Sequence, residues 1–598
     1  MAKTKEPTQE QLEDFKKLQI LTHEASLRKE LNYVSFLGQL YTESAMYKQR
    51  ISDKWEDYAR FMRGDHWPGQ RPKYKVSAVV NFIIENIERK TALLTDAKPI
   101  PKVVPRSDAF QNTADILNDL LSVIFEGSDF MLATADMIQN AQVYGSGFMS
   151  TLFDRSAEGG RGSVITPSID PRAVYFDPLV LKSYLLAEGE YVIIEDVWSV
   201  SKAKDIYPKV ADRIRPDSGI TPYKTRQNTG MFSGIFSRIF RTRQDDAVID
   251  TIPRVYVREY WMKDRSKTEN NKPEFKNMSR KSVLIGDAIL ADDGDNPYND
   301  GSFPTDMIIW HSDPDSGWGW GDVELLTSPQ EQFNKLLAII IENATLMSNA
   351  IWIGDADALS KEDWNKLTNA PGKHVRIRPG RALRREAGVA LPPYIFQIAN
   401  FLKVAKDELT GMVDVMRGIR TGQVASGVGI ESLQLAAQAL VRLRARALES
   451  LHARMGRKLI SRLFQFYTPE RIFEVLKARS EKYDEQIKEI QSELLKKPTS
   501  RREDAWTDVT FTIEPGSNLQ LERQQRKTEA MNLRKMQVID DRALLEVLEY
   551  PHREEVIKRV EKKRQDAANQ EIAAQQPASH AGASTQFPNQ TGGSPAAG

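Results

Sequence analysis

The sequence contains no cysteine and no long apolar run. Without thiols the chain cannot form a disulfide framework or a thiolate-ligated zinc or iron–sulfur site. The longest uninterrupted apolar stretch, Leu336 to Ile341, has six residues, whereas a helix needs roughly 20 to span a bilayer. The N-terminal residues also lack the apolar core of a signal peptide. These absences predict a soluble, cytoplasmic protein that contacts no membrane.

Positive and negative charges nearly cancel, with 83 basic and 82 acidic residues. No strong overall field attracts nucleic acid, so any such contact has to be local. Several enzyme motifs are also missing. Gly372-Lys373-His374 lacks the upstream glycine and the hydroxyl residue of a Walker-type phosphate loop, and neither H-E-x-x-H nor G-x-S-x-G occurs. We therefore predict no catalytic residue, no metal and no cofactor. The acidic run Asp292 to Asn296 has the wrong spacing for an EF-hand and is predicted to be a turn between strands.

With 598 residues the chain is long enough for several domains. Helical spacing prevails in residues 8–144, and short β-branched and aromatic runs between Gly, Pro and Asp turns follow from Gly147 to Trp310. Because most of these runs lack a helical crossover between them, we expect a largely antiparallel sheet. The predicted fold class is α+β, predominantly helical. Residues 221–250 are predicted to be a surface insertion, and the tryptophans of Gly317 to Gly321 are expected to pack a domain joint.

The clearest helical pattern begins after Pro392 and Pro393, which favour a helix start. Apolar residues then recur at steps of three and four, a seven-residue repeat that predicts a helix with a packing seam. The seam residues are Ile395, Ile398, Leu402, Ala405, Leu409, Met412 and Met416. The partner helix is predicted to start at Ser328, where Ser-Pro-Gln-Glu has the form of a capping box, and to reach Met347.

Residues 351–391 separate the two helices and form a basic module. It begins with a short strand at Ile351 to Ile353 and a small helix capped by Ser360. From Lys373 to Arg385 there is no acidic residue. The candidate partner-binding residues of this run are Lys373, His374, Arg376, Arg378, Arg381, Arg384 and Arg385. We interpret His374 as a surface residue of the run rather than a metal ligand.

A glycine-rich segment, residues 417–429, follows the second helix and has wide backbone freedom. Its candidate DNA-contacting residues are Arg417, Arg420, Thr421, Gln423 and Ser426. Charged and hydroxyl groups can touch a phosphate backbone without reading bases. The alternative for the two arginines is that they cap the C-terminus of the preceding helix, where cations are favoured.

A long helix is predicted over residues 429–467, with apolar residues on one face and arginines on the other. The apolar set is Leu433, Ala436, Leu440, Leu443, Ala447, Leu451, Met455, Leu459 and Leu463. The arginines are Arg442, Arg444, Arg446, Arg454, Arg457 and Arg462. A strand at Val509 to Ile513 and helices from 520 to about 574 follow, and from about Gln575 the composition is too polar to order itself.

The order of helix, basic module, antiparallel helix, glycine-rich loop and long helix resembles the portal proteins of tailed bacteriophages, most closely those of short-tailed phages. Further matching segments are Trp55 to Pro68, Asn81 to Leu94, Lys98 to Pro105, Tyr144 to Phe148, Ile169 to Pro178 and Asp508 to Ser517. The resemblance covers roughly residues 50–550 and rests on the order of many weak motifs.

The resemblance implies a homo-oligomeric ring, usually of twelve subunits, at one vertex of the virion capsid. Double-stranded DNA would pass through the ring without sequence recognition, driven by a separate terminase ATPase and later ejected. The major capsid protein, a scaffolding protein and a tail adaptor are further implied partners. Assembly would take place in the host cytoplasm, and the protein would not be an enzyme.

The resemblance also implies a division of this chain. The regions are an N-terminal helical segment (1–49), an α+β wing (50–320), a first stem helix (321–350), a clip (351–391), a second stem helix (392–416), a tunnel loop (417–429), a long wing helix with a return strand (430–517), a helical crown (518–574) and a disordered tail (575–598). The clip would dock the terminase and then the tail, although its arginines could instead face DNA or neighbouring subunits.

Other functions stay open from sequence alone. A head-to-tail adaptor or collar protein is one, although such proteins are usually shorter and lack a module inserted between two helices. An ATP-driven packaging motor or nuclease is another, against which the missing Walker motif argues. A cellular helical scaffold is a third.

Overall fold

A computed structural model describes residues 9–67, 72, 75–96, 98–126, 128–217, 252–268, 270–348, 351–365, 367, 376–386, 391–411, 439–477, 492–514, 520–548, 550, 556–557 and 559–565. The fold is mixed α and β with helices prevailing, which confirms the predicted class. The chain divides into two compact units, Met1–Leu519 and Gln520–Gly598. The insertion predicted at 221–250 and the tail predicted from Gln575 lie outside the described residues.

Helices carry most of the first unit. They are α1 (Gln9–Ser52), α2 (Trp55–Arg63), α3 (Phe82–Thr95), α4 (Gln111–Glu126), α5 (Ser128–Tyr144), the single turn α6 (Ala157–Gly160), α7 (Val200–Ile206), α8 (Asp322–Ser348), α9 (Lys361–Asn365), α10 (Tyr394–Thr410), α11 (Ala439–Phe466) and α12 (Pro469–Lys477). The second unit contains α13 (Gln520–Lys535) and α14 (Asp541–Val547), which an ion pair of Arg534 with Asp541 connects.

Fourteen strands are described in the first unit. They are β1 (Pro101–Pro105), β2 (Ser146–Ser150), β3 (Leu152–Asp154), β4 (Ser163–Ile165), β5 (Ser168–Ile169), β6 (Val174–Phe176), β7 (Tyr191–Ser199), β8 (Arg254–Lys263), β9 (Ser279–Ile285), β10 (Ile289–Asp295), β11 (Thr305–Ile309), β12 (Ile351–Gly354), β13 (Leu383–Glu386) and β14 (Val509–Ile513).

The strands form five sheets, and the described strand pairs are all antiparallel, as predicted. The largest has the order β10-β9-β8-β7-β6, and a second has the order β11-β2-β5. The remaining three are the pairs β1-β14, β3-β4 and β12-β13. In β14, Val509, Phe511 and Ile513 are buried whereas Thr510 and Thr512 are exposed, the alternation expected for a strand with one covered face.

Two local predictions are wrong. Asp292 to Asp295 belong to β10, paired with β9 across a bulge between Leu290 and Asp292, so this acidic run is not a turn. Its carboxylates are tolerated in a strand because Arg280 on β9 pairs with Asp293. Helix α8 begins at Asp322, not at Ser328, and Pro329 lies inside the helix. Pro329 is the eighth residue of the helix and cannot donate an intrahelical hydrogen bond, yet the helix continues through it to Ser348.

The largest core contains buried residues of α4, α5, α11 and β14. Leu451, Met455 and Leu459 are fully buried, as predicted. Leu443 is 55% exposed, so its predicted burial is wrong. The buried stripe passes through Val441 instead. Val441 lies two positions before Leu443, and side chains two positions apart on a helix point about 200° away from each other. Leu433 and Ala436 lie outside the described residues.

Several basic side chains of α11 face carboxylates, whereas Arg446 and Arg457 are exposed. Arg462 is fully buried and pairs with Asp300, and Arg454 lies near Asp306. Lys458, also buried, is 2.8 Å from the other oxygen of Asp306. Because α11 contacts β11 as well as helices, these three cations meet carboxylates of the β-rich region.

The glycine–tryptophan segment packs between several elements of the first unit. Trp318 is 1% exposed and contacts Trp55, Phe148 and Phe176. Its glycine neighbours permit this approach. A Cβ at Gly317 would lie 1.9 Å from the carbonyl oxygen of Val180, closer than any side chain allows.

Candidate functional site

Helices α8 and α10, which flank the basic module in sequence, pack against each other. α10 ends at Thr410 because Gly411 adopts a left-handed φ of 70° and its N–H reaches the carbonyls of Asp407 and Glu408. The predicted seam therefore does not continue in this helix to Met412 and Met416, which lie outside the described residues.

The other five seam residues lie on one side of α10, and that side is only partly covered. Ile395, Leu402 and Ala405 are half-buried. Ile398 and Leu409 are 43% and 45% exposed. The most buried side of α10 therefore does not coincide with the centre of the predicted seam, but lies beside it on the helix surface.

A stripe of exposed apolar side chains runs along α10. Its members are Tyr394, Ile398, Phe401 and Leu409, with exposed fractions of 58%, 43%, 67% and 45%. Steps of four, three and eight residues place them on one side of a helix. We call these four residues the α10 stripe. So much exposed apolar surface on one helix face is typical of an interaction site.

Lys406 holds an adjacent side of α10 in place. It is 6% exposed, and its Nζ lies 3.3 Å from Glu85 Oε2 on α3 and 3.3 Å from Asp407 Oδ1. The ammonium also lies 4.7 Å from the ring centroid of Phe82. Two carboxylates and an aromatic face compensate the cost of removing this cation from water.

Asp322 anchors the first residue of α8. Its side chain is fully buried, and Oδ2 accepts hydrogen bonds from Lys90 Nζ at 2.7 Å and from Asn86 Nδ2 at 3.2 Å, both on α3. Oδ1 lies 3.0 Å from His311 Nε2. Burial alone would raise the pKa of Asp322, but the His311 hydrogen bond and the charge of Lys90 outweigh it and hold the pKa well below its usual range. The carboxylate is therefore ionised at neutral pH.

His311 connects this carboxylate to the long helix. Arg444 Nη2 on α11 lies 2.8 Å from His311 Nδ1. A guanidinium can only donate, so Nδ1 accepts and the imidazole proton must be on Nε2, where it points at Asp322. The ring also stacks on Trp320 at a centroid distance of 4.1 Å. We call Lys90, Asp322, His311 and Arg444 the α8 anchor.

The basic module contains the hairpin-like pair β12-β13, in which Trp352 lies opposite Arg385. Ser360 Oγ accepts from the N–H of Asp363 and caps α9, as predicted. The predicted basic residues are exposed wherever their side chains are described. Arg376 and Arg378 have no carboxylate partner among the described residues, whereas Arg381 pairs with Asp357 and Arg384 with Glu386. Lys373 and His374 lie outside the described residues.

The sequence model of the phage P22-like portal proteins matches residues 39–591. The chain belongs to this family. No curated protein sequence matches the chain significantly. The predicted resemblance to portal proteins is therefore confirmed, and the P22-like match agrees with the short-tailed type.

The predicted DNA-contacting residues of this portal protein lie between the ends of α10 and α11. Arg417, Arg420, Thr421, Gln423 and Ser426 all fall within residues 412–438, outside the described part of the chain. α10 ends before this segment and α11 begins after it. The role of these five residues therefore stays a prediction.

The described residues contain neither a membrane-spanning helix nor a metal-ligating cluster. No helix there has the length and apolar character required to cross a membrane. No group of three His, Asp or Glu side chains is arranged to hold a metal ion, again within the described ranges.

Sequence reasoning missed most of the α8 anchor. Lys90, Asp322, His311 and Arg444 share no motif that would relate them in the sequence. The four residues come from four separate segments, so no spacing along the chain relates them. Only the tertiary packing of α3, α8 and α11 brings them into contact.

Proposed function

We propose that this portal protein assembles into a closed ring of about twelve copies at one capsid vertex, through which duplex DNA is packaged and later ejected. The family match over residues 39–591 carries the proposal. The protein would be a conduit and docking ring without a catalytic activity of its own. Assembly would precede DNA entry and would take place in the host cytoplasm.

The α10 stripe supports ring assembly. A head-to-tail contact repeated around an axis closes into a ring, and each copy then presents two different surfaces to its neighbours. α8 offers a matching surface, since Ile339 and Leu346 are 46% and 68% exposed and lie seven residues apart on one side of the helix. We propose that the α10 stripe of one copy packs against Ile339 and Leu346 of the next.

The remaining regions follow the portal arrangement in this proposal. Residues 50–320 would form the wing, α8 and α10 the stem, 351–391 the clip, and 518–574 the crown. The clip arginines, exposed at Arg376 and Arg378, would dock the terminase and then the tail adaptor. The wing and its surroundings would contact the major capsid protein and the scaffolding protein.

Residues 417–429 would line the narrowest part of the channel as the tunnel loop. Arg417, Arg420, Thr421, Gln423 and Ser426 would contact the phosphate backbone without reading the sequence. Deleting Gly418 to Gly427 should leave rings intact and reduce DNA packaging or retention. Loss of rings in this deletion would give the segment a structural role instead.

Negative-stain class averages of the purified protein test the ring directly. We expect closed rings with a central channel and about twelvefold symmetry. Phe401→Glu should prevent ring closure because it places a charge in the α10 stripe, whereas Lys403→Glu, exposed on another side of the same helix, should not. Monomers or open filaments of the unaltered protein at every concentration would refute the ring. Intact Phe401→Glu rings would refute only the role of the stripe.

A further inference from the structure

A groove distant from the paired helices in sequence lies where α11, β14 and the 3-10 turn Ala505–Asp508 meet. Its volume is about 550 Å³, within the range of roughly 300–1,000 Å³ that small-molecule sites occupy. Buried side chains of Ile460, Val509 and Phe511 form its apolar base. We call it the β14 groove.

Gly456 shapes this base. The ring of Phe511 lies directly against the backbone of α11, and a Cβ at Gly456 would be 2.0 Å from Phe511 Cε1. The glycine therefore lets the strand approach the helix closely and leaves the next residue, Arg457, at the edge of the groove.

Two arginines line the edge without a carboxylate to neutralise them. Arg106 follows β1, and Arg457 projects from α11; both are exposed. Neither side chain has a carboxylate partner in the part of the chain that the structure describes. The acid at the edge, Asp508, is already paired with Arg502. The groove therefore presents two uncompensated guanidinium groups.

The other edge residues are an indole and two hydroxyls. Trp506 is half-buried, Thr510 is exposed, and the Thr507 hydroxyl donates to the carbonyl of Asp504, which leaves its oxygen free to accept. Guanidinium groups bind phosphate oxygens with good geometry. The indole of Trp506 beside the apolar floor of the groove is suited to bind a flat ring, because nucleobases stack on aromatic side chains.

This combination selects one class of ligand. Two guanidinium groups repel a cation, and a purely apolar ligand would leave them unpaired. A cube of the groove's volume is only about 8 Å on a side, whereas a duplex is wider than its own ~12 Å major groove, so double-stranded DNA does not fit. We propose that the β14 groove binds one nucleotide unit, with its phosphate on Arg106 and Arg457 and its base against Trp506.

The nucleotide unit could be free or part of a single strand, since both present the same phosphate and base. All residues of the site come from one copy of the chain, so binding does not require the ring proposed above. The channel would contact a duplex, whereas this groove takes one exposed nucleotide.

Isothermal titration calorimetry of the full-length protein with deoxyadenosine monophosphate tests the site. We expect saturable binding that weakens at least tenfold in Arg106→Gln and in Arg457→Gln. Deoxyadenosine without phosphate should bind at least tenfold more weakly than the monophosphate. The matched control is Arg446→Gln, because Arg446 is exposed on the same helix outside the groove and should change the affinity less than twofold.

A second titration uses a single-stranded oligothymidylate of eight residues. Tighter binding than that of the mononucleotide, lost in the same two variants, identifies a DNA strand as the source; equal binding identifies a free nucleotide. The proposal is overturned if no phosphate probe binds, if deoxyadenosine binds as tightly as its phosphate, or if Arg446→Gln weakens binding as much as Arg457→Gln. Electron micrographs of each variant report ring formation separately, so failure of this site and failure of the ring are distinguishable.

Discussion

Arg462, within α11, is completely buried and donates a hydrogen bond to the carboxylate of Asp300. Its guanidinium carbon also lies 4.0 Å from the ring centroid of Tyr298. Both charged groups are out of water, so each depends on the other for compensation. The pair joins the long helix to the segment between β10 and β11.

Removing the acid of this pair should be costly. Asp300→Ala leaves the guanidinium of Arg462 buried without a counter-charge, and we expect a loss of about 3–5 kcal/mol in the free energy of unfolding. Differential scanning calorimetry of the purified protein measures the lowered transition midpoint. Glu362→Ala, an exposed acid on α9, should change stability by less than about 0.5 kcal/mol. Equal midpoints for the two variants would show that the pair is not a stabilising contact.

His452 should make the protein sensitive to acid. Its side chain is 1% exposed and its ring contacts those of Phe125 and Phe130. Neither ring nitrogen has a hydrogen-bond partner among the described residues. Burial lowers the pKa of His452 to about 3. Between an unfolded pKa of about 6.5 and the folded value, only the unfolded chain binds the proton, so stability should fall by about 1.4 kcal/mol per pH unit as pH decreases.

His452→Met removes this titration. Relative to neutral pH, we expect the variant to lose about 2.7 kcal/mol less stability than the unaltered protein at pH 4.5. Urea unfolding at the two pH values measures the difference. Leu448→Met, a buried change on the same helix, should leave the pH dependence as it was. An unchanged pH dependence in His452→Met would contradict the expectation.

Two glycine-to-alanine changes should have opposite effects. In an open helix, alanine is favoured over glycine by about 1 kcal/mol. Gly38 on α1 has no atom within 4 Å of an added Cβ, so Gly38→Ala should stabilise the protein slightly. Gly456→Ala should destabilise it by about 1–3 kcal/mol because the new methyl group collides with Phe511. The two variants are compared by the midpoints of their thermal unfolding. A higher midpoint for Gly456→Ala than for the unaltered protein would show that Phe511 can move away.

The α8 anchor should protect the first turn of α8. His311→Phe retains a ring to stack on Trp320 but removes both hydrogen bonds, to Asp322 and to Arg444. We expect about tenfold faster amide hydrogen exchange in the first two turns of α8, measured by mass spectrometry. His311→Gln, which can donate with its amide nitrogen and accept with its oxygen, should restore much of the protection. Equal exchange in the two variants would show that ring size, not hydrogen bonding, maintains the helix start.

The sequence predicts elements whose signal is local. The double proline and the repeat after it predict α10. The prediction that Leu443 is buried was wrong because an error of two positions along a helix moves a residue to the other side of it. The pairing of Arg462 with Asp300 and the α8 anchor could not be predicted, since each joins segments that are distant along the chain.

Strand β1 pairs residue by residue with β14, from Pro101 with Ile513 to Pro105 with Val509. Roughly 400 residues must therefore be synthesised after β1 before its partner exists, which takes about 20–80 s at ordinary translation rates. Throughout that time the nascent chain carries an unpaired strand edge, a known risk for aggregation. The first unit can complete its fold only after residue 513 has been synthesised, so a ribosome that stops before residue 509 leaves a fragment that cannot close.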